Sequence, residues 1–388
     1  MIVEHLSLVD FRNYASAEVG LVAGPNVFVG RNGQGKTNLA EAIGYFATLG
    51  SHRVSQDAPM VRYGADAAFV RARLGYGDRR IQLEAQLNRS GSNKARVNGS
   101  PVRTSELPRY AQVVLFAPED LQIVRGDPSS RRRFADQLLV QRSPRMTGVL
   151  ADYDRVLKQR TALLKSARAR SLKAEQLTTL DVWDDKLVSL GTEIILARLR
   201  LAEDLAQPMR DAYEAIAGAD HDPQLEWMLT VEGADPEDDG AAVTQTGSAI
   251  GADAIAASFR AGLAAKRAQE LERGVTLVGP HRDDLLLRLR GLPVKGYASH
   301  GESWSTALSL RLSSAQLLRD QLRLGDPIVI LDDVFAELDA DRRTRLAGVV
   351  ADFEQVIVTA AVEGDVPEAL RVRTVRVEAG TIVADADV

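Results

Sequence analysis

The chain has 388 residues, 45% hydrophobic and 26% charged, enough to bury a large core and to build two lobes. The absence of cysteine excludes disulfides, thiol catalysis and a cysteine zinc hook, and five scattered histidines argue against a histidine metal site, so any metal is expected to be Mg²⁺ on oxygen ligands. A net charge of −5 argues against non-specific coating of nucleic acid while leaving room for a local basic face, and no apolar run approaches the roughly 18 residues that span a bilayer.

From the N-terminus, MIVEHLSLVDFRNY alternates like a strand and lacks the apolar region of a signal peptide, so a cytoplasmic protein with no membrane partner is expected. HLSLVDF and NVFVG read as strands. Between NVFVG and a segment with Leu39, Ala42, Ile43 and Phe46 at helical spacing lies Gly30-x-x-x-x-Gly35-Lys36-Thr37, the P-loop pattern. The chemistry needs these residue types: glycines let successive amides point into one concavity, the following helix N-terminus favours anions, Lys36 reaches the β/γ-phosphates and Thr37 ligates Mg²⁺. FVRARLGY and RRIQLEAQL follow as a two-period pair, and NRSGSNKARVNGSPV as a turn-rich ribbon.

After VVLFAPEDLQIV, residues from Ser130 to about Ala217 carry almost no turn chemistry and read as long helices. The stretch 233–254 reads as a flexible connection, a helix is expected from about Ile255 to Arg273, and strand texture returns at 275-VTLVGPHRDDLLLRL-289. Arg282, Asp283 and Asp284 within it suit either a salt-bridged turn or a role near DNA or nucleotide. Ser299-x-Gly301-Glu302 opens a helix containing Ala307, Leu308, Leu310 and Leu312, a second place where a hydroxyl, a glycine amide and a helix N-terminus converge. One cradle already serves this chain's own phosphate, so this clamp is assigned to the nucleotide of a second subunit. Finally, 328-IVILDDVFAELD-339 reads as a buried strand delivering Asp332 and Asp333 to its C-terminal end, a Walker B in which Asp332 holds Mg²⁺ and Asp333 orients or deprotonates water.

P-loop, Ser-x-Gly-Glu element, Walker B and Ala336-Glu337-Leu338-Asp339, in that order, resemble the ABC-type ATPase heads of transporters, SMC proteins and Rad50. About 260 residues separate Lys36 from Ser299, more than in a compact transporter domain and fewer than in long SMC arms. SLVDFRNY, NVFVGRNGQGKTNLAEAI, GSHR, LFAPEDLQIVRGDPSSRRRFAD, LVGPHRDDL, YASHGE and ILDDVFAELD resemble the RecF family of bacterial DNA-repair ATPases from end to end. The resemblance implies an α/β fold, an ABC-type ATPase head (a P-loop NTPase) with an inserted helical lobe: head 1–125, lobe 126–274, head 275–388.

It further implies ATP on Gly30, Arg31, Asn32, Gly33, Gln34, Gly35, Lys36, Thr37 and Asn38, with Arg12 and Asn13 contacting nucleotide and Thr37 and Asp332 holding Mg²⁺. Lys36, Asp332 and Asp333 are then the catalytic set, and Ser299, Gly301 and Glu302 complete the partner's site in an ATP-dependent homodimer. A slow, DNA-stimulated ATPase used as a switch is expected, the slowness following from two departures from the general pattern: Asp333 stands in place of glutamate, and the switch histidine is absent from 356-VIVTAAVEGD-365, which leaves Thr359 or nothing. The expected partners are DNA, as duplex or at a single-strand/double-strand junction, and a RecR-type mediator that loads recombinase at replication gaps and supports the SOS response. A transporter ATPase subunit and an SMC-like structural tether are the alternatives. FAPEDLQ offers Glu119, Asp120 and Gln122 for the Q-loop without deciding among them. For DNA contacts the candidates are Arg131, Arg132 and Arg133, and the string Lys158, Arg160, Lys165, Arg168, Arg170 and Lys173, which a solvated helix surface explains equally well. Arg53 and His52, shortly after the P-loop helix, reach DNA or nucleotide, or make a structural hydrogen bond.

Overall fold

A computed structural model describes residues 1–54, 56–170, 178–234, 250–321 and 325–383. Most of the stretch 233–254, expected as a connection, and Lys173 lie outside the described residues. The strands are β1 (Ile2–Phe11), β2 (Tyr14–Gly20), β3 (Gly24–Val29), β4 (Ala67–Tyr76), β5 (Arg79–Asn88), β6 (Lys94–Val97), β7 (Ser100–Val102), β8 (Val113–Phe116), β9 (Gln224–Met228), β10 (Asp284–Leu289), β11 (Leu292–Pro293), β12 (Ile328–Asp332), β13 (Gln355–Ala360), β14 (Arg373–Glu378) and β15 (Thr381–Val383). The helices are α1 (Lys36–Thr48), α2 (Leu121–Arg125), α3 (Pro128–Arg142), α4 (Met146–Ala169), α5 (Thr178–Ala217), α6 (Ala252–Arg273), α7 (Val294–Tyr297), α8 (His300–Gln321) and α9 (Ala340–Val350). Among the described residues no helix is long and apolar enough to cross a membrane. The chain divides into two compact units: Met1–Leu121, Pro208–His221 and His300–Val388 in one, Gln122–Gln207 and Asp222–Ser299 in the other.

The first unit holds two six-stranded sheets. One is antiparallel, in the order β2-β1-β4-β5-β6-β7. A bulge between Val3 and His5 shifts the phase of β1, so that Val3 and then Leu6 and Leu8 are buried. The other sheet has the order β15-β14-β3-β13-β12-β8 and is parallel apart from β15. IVILD of β12 and QVIVTA of β13 are buried at every position, as a parallel sheet covered on both faces requires. Gln355 links the two sheets: fully buried on β13, it accepts from the Val3 N–H (2.7 Å) and donates to the Val3 carbonyl (2.9 Å). α1 shares this core through Leu39, Ile43, Tyr45 and Phe46, which pack with residues of both sheets. Truncating Leu39 or Ile43 to alanine in such a setting costs about 2–5 kcal/mol, so the helix carrying Lys36 and Thr37 is anchored by the main core.

The second unit is mainly helical, as expected, and also contains a three-stranded antiparallel sheet, β11-β10-β9. The expected boundary at 275 is corrected here: residues 275–299 group with the helical unit. The reason is pairing, since β10 runs against β9 with Asp284 opposite Met228 and Arg288 opposite Gln224. The strand itself begins only at Asp284, because Gly279 (φ 129°) and Pro280 turn the chain before it. Conversely, Pro208–His221, read as the end of the helical block, groups with the head. One member of the basic string is also corrected: Arg160 is fully buried and donates to Asp184 (2.6 Å), Glu270 (2.7 Å) and Thr276 (2.9 Å), which ties α4, α5 and α6 together.

Candidate active site

The loop between β3 and α1 is braced on two sides. Gly33 and Gly35 take positive φ (82° and 118°), which glycine adopts without strain. Tyr14 donates to the Gly35 carbonyl at 3.0 Å, and Asn13 Nδ2 to the Gln34 carbonyl at 2.9 Å, so FRNY forms the wall behind the loop. From the far side the Gly380 N–H donates to the Gln34 carbonyl (3.0 Å) and the Ala379 N–H to the Gln34 side chain. Lys36 is buried, and its Nζ is folded back on the Arg31 carbonyl at 3.3 Å, which holds the ammonium over the loop's concavity.

Across from the loop, β12 ends at Asp332. Its Oδ1 accepts from the hydroxyls of Thr37 (3.0 Å) and Thr359 (2.6 Å). The Thr359 hydroxyl in turn accepts from the Asp333 N–H (2.9 Å), and Asp333 is held at φ 51°. The Thr359 hydroxyl near the end of β13 therefore bonds to both aspartates. Burial pushes both carboxyl groups above the usual carboxylate range, against the hydroxyl hydrogen bonds on Asp332 and the charge of Lys36 on Asp333. A cation arriving here meets a carboxylate and a hydroxyl already in register.

These parts line one cavity of about 360 Å³, in which Lys36, Thr37, Asp332 and Asp333 are joined by Asn13, Asn32, Asn38, Arg53, Pro118 and Glu119. Of the three Q-loop candidates it is Glu119 that faces the cavity; Asp120 is buried, accepting from the Ala117 N–H (3.0 Å) and Arg311 (2.6 Å). Arg53 also faces the cavity and donates from NH1 to Asn38 at 3.0 Å. Asn38 in turn donates to Asn13 at 2.7 Å. Arg12 departs from expectation. Its guanidinium forks onto buried Glu41 (2.7 and 2.5 Å) and also donates to the Pro59 carbonyl at 3.1 Å, so it turns away from the cavity.

Arg131, expected to touch DNA, is also corrected. It is buried, with both arms on Asp284 (2.7 and 2.8 Å) and a further bond to the Gly126 carbonyl (3.0 Å). Arg132 is half-buried and donates to the Asp283 carbonyl at 2.7 Å; Arg133 is exposed. The salt-bridged reading of the RDD element thus holds for Asp284, with Arg131 as partner instead of Arg282. Gly301 and Glu302 open α8 in the head unit and do not line the cavity; Ser299 is exposed in the helical unit. A Cβ on Gly301 would stand 2.8 Å from Arg342 NH1, so the glycine leaves room for that guanidinium.

The family model described as RecF/RecN/SMC N terminal domain matches residues 2–383. The DNA replication and repair protein RecF of Clavibacter sepedonicus is 58% identical over 388 residues, covering 99% of this chain and 95% of that protein. The protein of the same name from Leifsonia xyli subsp. xyli is 58% identical over 384 residues, covering 99% of each. A solved structure of the recombination mediator protein RecF with ATP, in the RecFOR pathway, matches with TM-score 0.86 at 26% identity, over 98% of this chain and 96% of that one.

Proposed function

The chain belongs to the RecF/RecN/SMC N-terminal family and within it to the RecF proteins of DNA replication and repair, and from that premise we propose that it is an ATP-gated, Mg²⁺-dependent DNA clamp of recombinational repair. ATP closes a homodimer in which Ser299, Gly301 and Glu302 of each protomer cover the nucleotide held by the other. The closed form holds DNA at gaps, at duplex or at a single-strand/double-strand junction, and recruits a RecR-type mediator for recombinase loading, a role in the cytoplasm that also supports the SOS response.

The observation that carries this reading is that Lys36, Thr37, Asp332 and Asp333 line one cavity, with Thr359 bonded to both aspartates. The donors fit Mg²⁺, a hard cation that takes oxygen ligands: Thr37 and Asp332 would hold it, and no cluster of three or more acidic or histidine side chains competes among the described residues. When bound, Mg²⁺ supplies charge neutralisation at the β- and γ-phosphates. The loop amides and Lys36 bind and orient the phosphates. Asp333 aligns the attacking water in line with the γ-phosphorus and takes its proton, and its side chain, one methylene shorter than glutamate, makes that alignment poorer and turnover slow.

Two variants test the gate. Lys36→Met removes the charge that binds the phosphates and is expected neither to close the dimer nor to hold DNA. Asp333→Asn keeps size and hydrogen bonding without the basic carboxylate, so it is expected to bind ATP, dimerise, and remain on DNA at least tenfold longer than the parent after an ATP chase. If Asp333→Asn leaves DNA as fast as the parent, hydrolysis is not the opening step.

A further inference from the structure

Behind the cavity, a chain of hydrogen bonds ends at a residue to which the catalytic set gives no role. Glu41, four residues beyond Thr37 on α1, is fully buried and receives the Arg12 fork. It also accepts from the Ser51 hydroxyl. That hydroxyl's lone pairs are taken by the N–H groups of Arg53 (2.9 Å) and Val54 (3.1 Å), so residues 51–54 are fastened to α1 through one serine. The fastened loop carries His52, whose Nε2 is buried, makes no hydrogen bond, and lies 3.9 Å from Asp332 Oδ2. Asp332 is oriented on its other oxygen, Oδ1, by Thr37 and Thr359. His52 is not among the residues that line the cavity.

A buried imidazole nitrogen without a partner is costly. The nearby carboxylate oxygen needs only about 1 Å of closure to reach hydrogen-bond distance. We propose that His52 is a positioning residue for the metal-binding carboxylate: its Nε2–H donates to Asp332 Oδ2 as the carboxylate engages Mg²⁺, and the Arg12–Glu41–Ser51 chain holds it in place to do so. Such outer partners fix the orientation of a metal ligand, and their loss typically lowers metal affinity 10–100-fold. The inference rests on the Mg²⁺-ATP reading above.

The test uses the full chain and a fluorescent ATP analogue, titrated with MgCl₂ and, separately, in EDTA. His52→Ala should bind the analogue in EDTA as the parent does, since the loop amides and Lys36 are untouched. It should need at least tenfold more Mg²⁺ to reach the half-maximal Mg²⁺-dependent gain in binding. His52→Gln, which restores an N–H donor, should recover much of that loss, and Ser51→Ala should move the Mg²⁺ midpoint the same way as His52→Ala. Nucleotide-free melting temperatures of the histidine variants should stay within a few degrees of the parent's. An unchanged Mg²⁺ midpoint in His52→Ala overturns the proposal. So does an equal loss of binding in EDTA and in Mg²⁺ with a lowered melting temperature, which would make His52 a structural residue. A parent that binds no nucleotide would instead remove the ATP reading, and this inference with it.

Discussion

Gly30 has no room for a side chain: a Cβ there would stand 2.2 Å from the carbonyl oxygen of Val377, a backbone atom of β14. Gly33 is constrained differently, with open space around it but φ at 82°, where an L-residue costs roughly 1–2 kcal/mol. Gly30→Ala is therefore expected to lower both the melting temperature and ATP affinity, the latter at least tenfold, because the whole loop must move. Gly33→Ala should weaken ATP binding while leaving the melting temperature within a few degrees. Calorimetry and ATP titration of both variants check this, and equal melting losses would show that the loop is not braced on β14. The P-loop could be read locally because its glycines, lysine and threonine act within eight positions. Arg12 and Arg131 could not, because their partners Glu41 and Asp284 lie 29 and 153 residues away. A guanidinium that sequence assigns to phosphate is equally suited to a carboxylate, and only folding shows which arrives.

At the level of elements, the turn that leads into β10 stores a titratable group. Asp283 Oδ1 accepts from the Thr230 N–H and hydroxyl, both at 2.8 Å, while Oδ2 is buried without a partner. Burial pushes this carboxyl up to about 6, against the Thr230 hydrogen bonds and the charges of Arg198 and Arg132. The native state thus binds the proton more tightly than the unfolded chain does. The contribution to stability is full below about pH 4 and is lost as pH rises through about 6, an effect of roughly 3 kcal/mol. Asp283→Asn mimics the protonated form and lacks the titration. Its stability relative to the parent should therefore improve by about that amount between pH 4 and 7, as read by urea unfolding at each pH. A flat difference would mean that the native carboxylate is well partnered when ionised. β10 also shows why the return to the head was misplaced: DLLLRL alternates as any half-buried strand does, and periodicity does not name the strand it will pair with.

For the whole molecule the decisive expectation is the second phosphate clamp. Ser299 is exposed, and neither Gly301 nor Glu302 lines the cavity of its own chain. Ser299→Arg should still bind one ATP per monomer, yet sediment as a monomer with ATP, because a bulky cation fills the contact. Dimerisation as tight as the parent's would remove the reciprocal arrangement. The net charge of −5 is compatible with this picture, since a DNA-binding face then depends on how a few arginines are disposed in the assembly.

The sequence by itself determined the family, the order of the phosphate-binding parts, the identity of the cavity's main residues and the presence of a helical insertion. These follow from short motifs and local periodicity, which act over a turn or a strand. Only the tertiary structure decided that residues 275–299 pair with β9, that Arg131 and Arg160 are buried in ion pairs, that Arg12 clasps Glu41, and that Thr359 links the two aspartates. Each of these depends on which distant group shares a buried space. A buried charge or hydroxyl must find its partner there, whatever the separation along the chain.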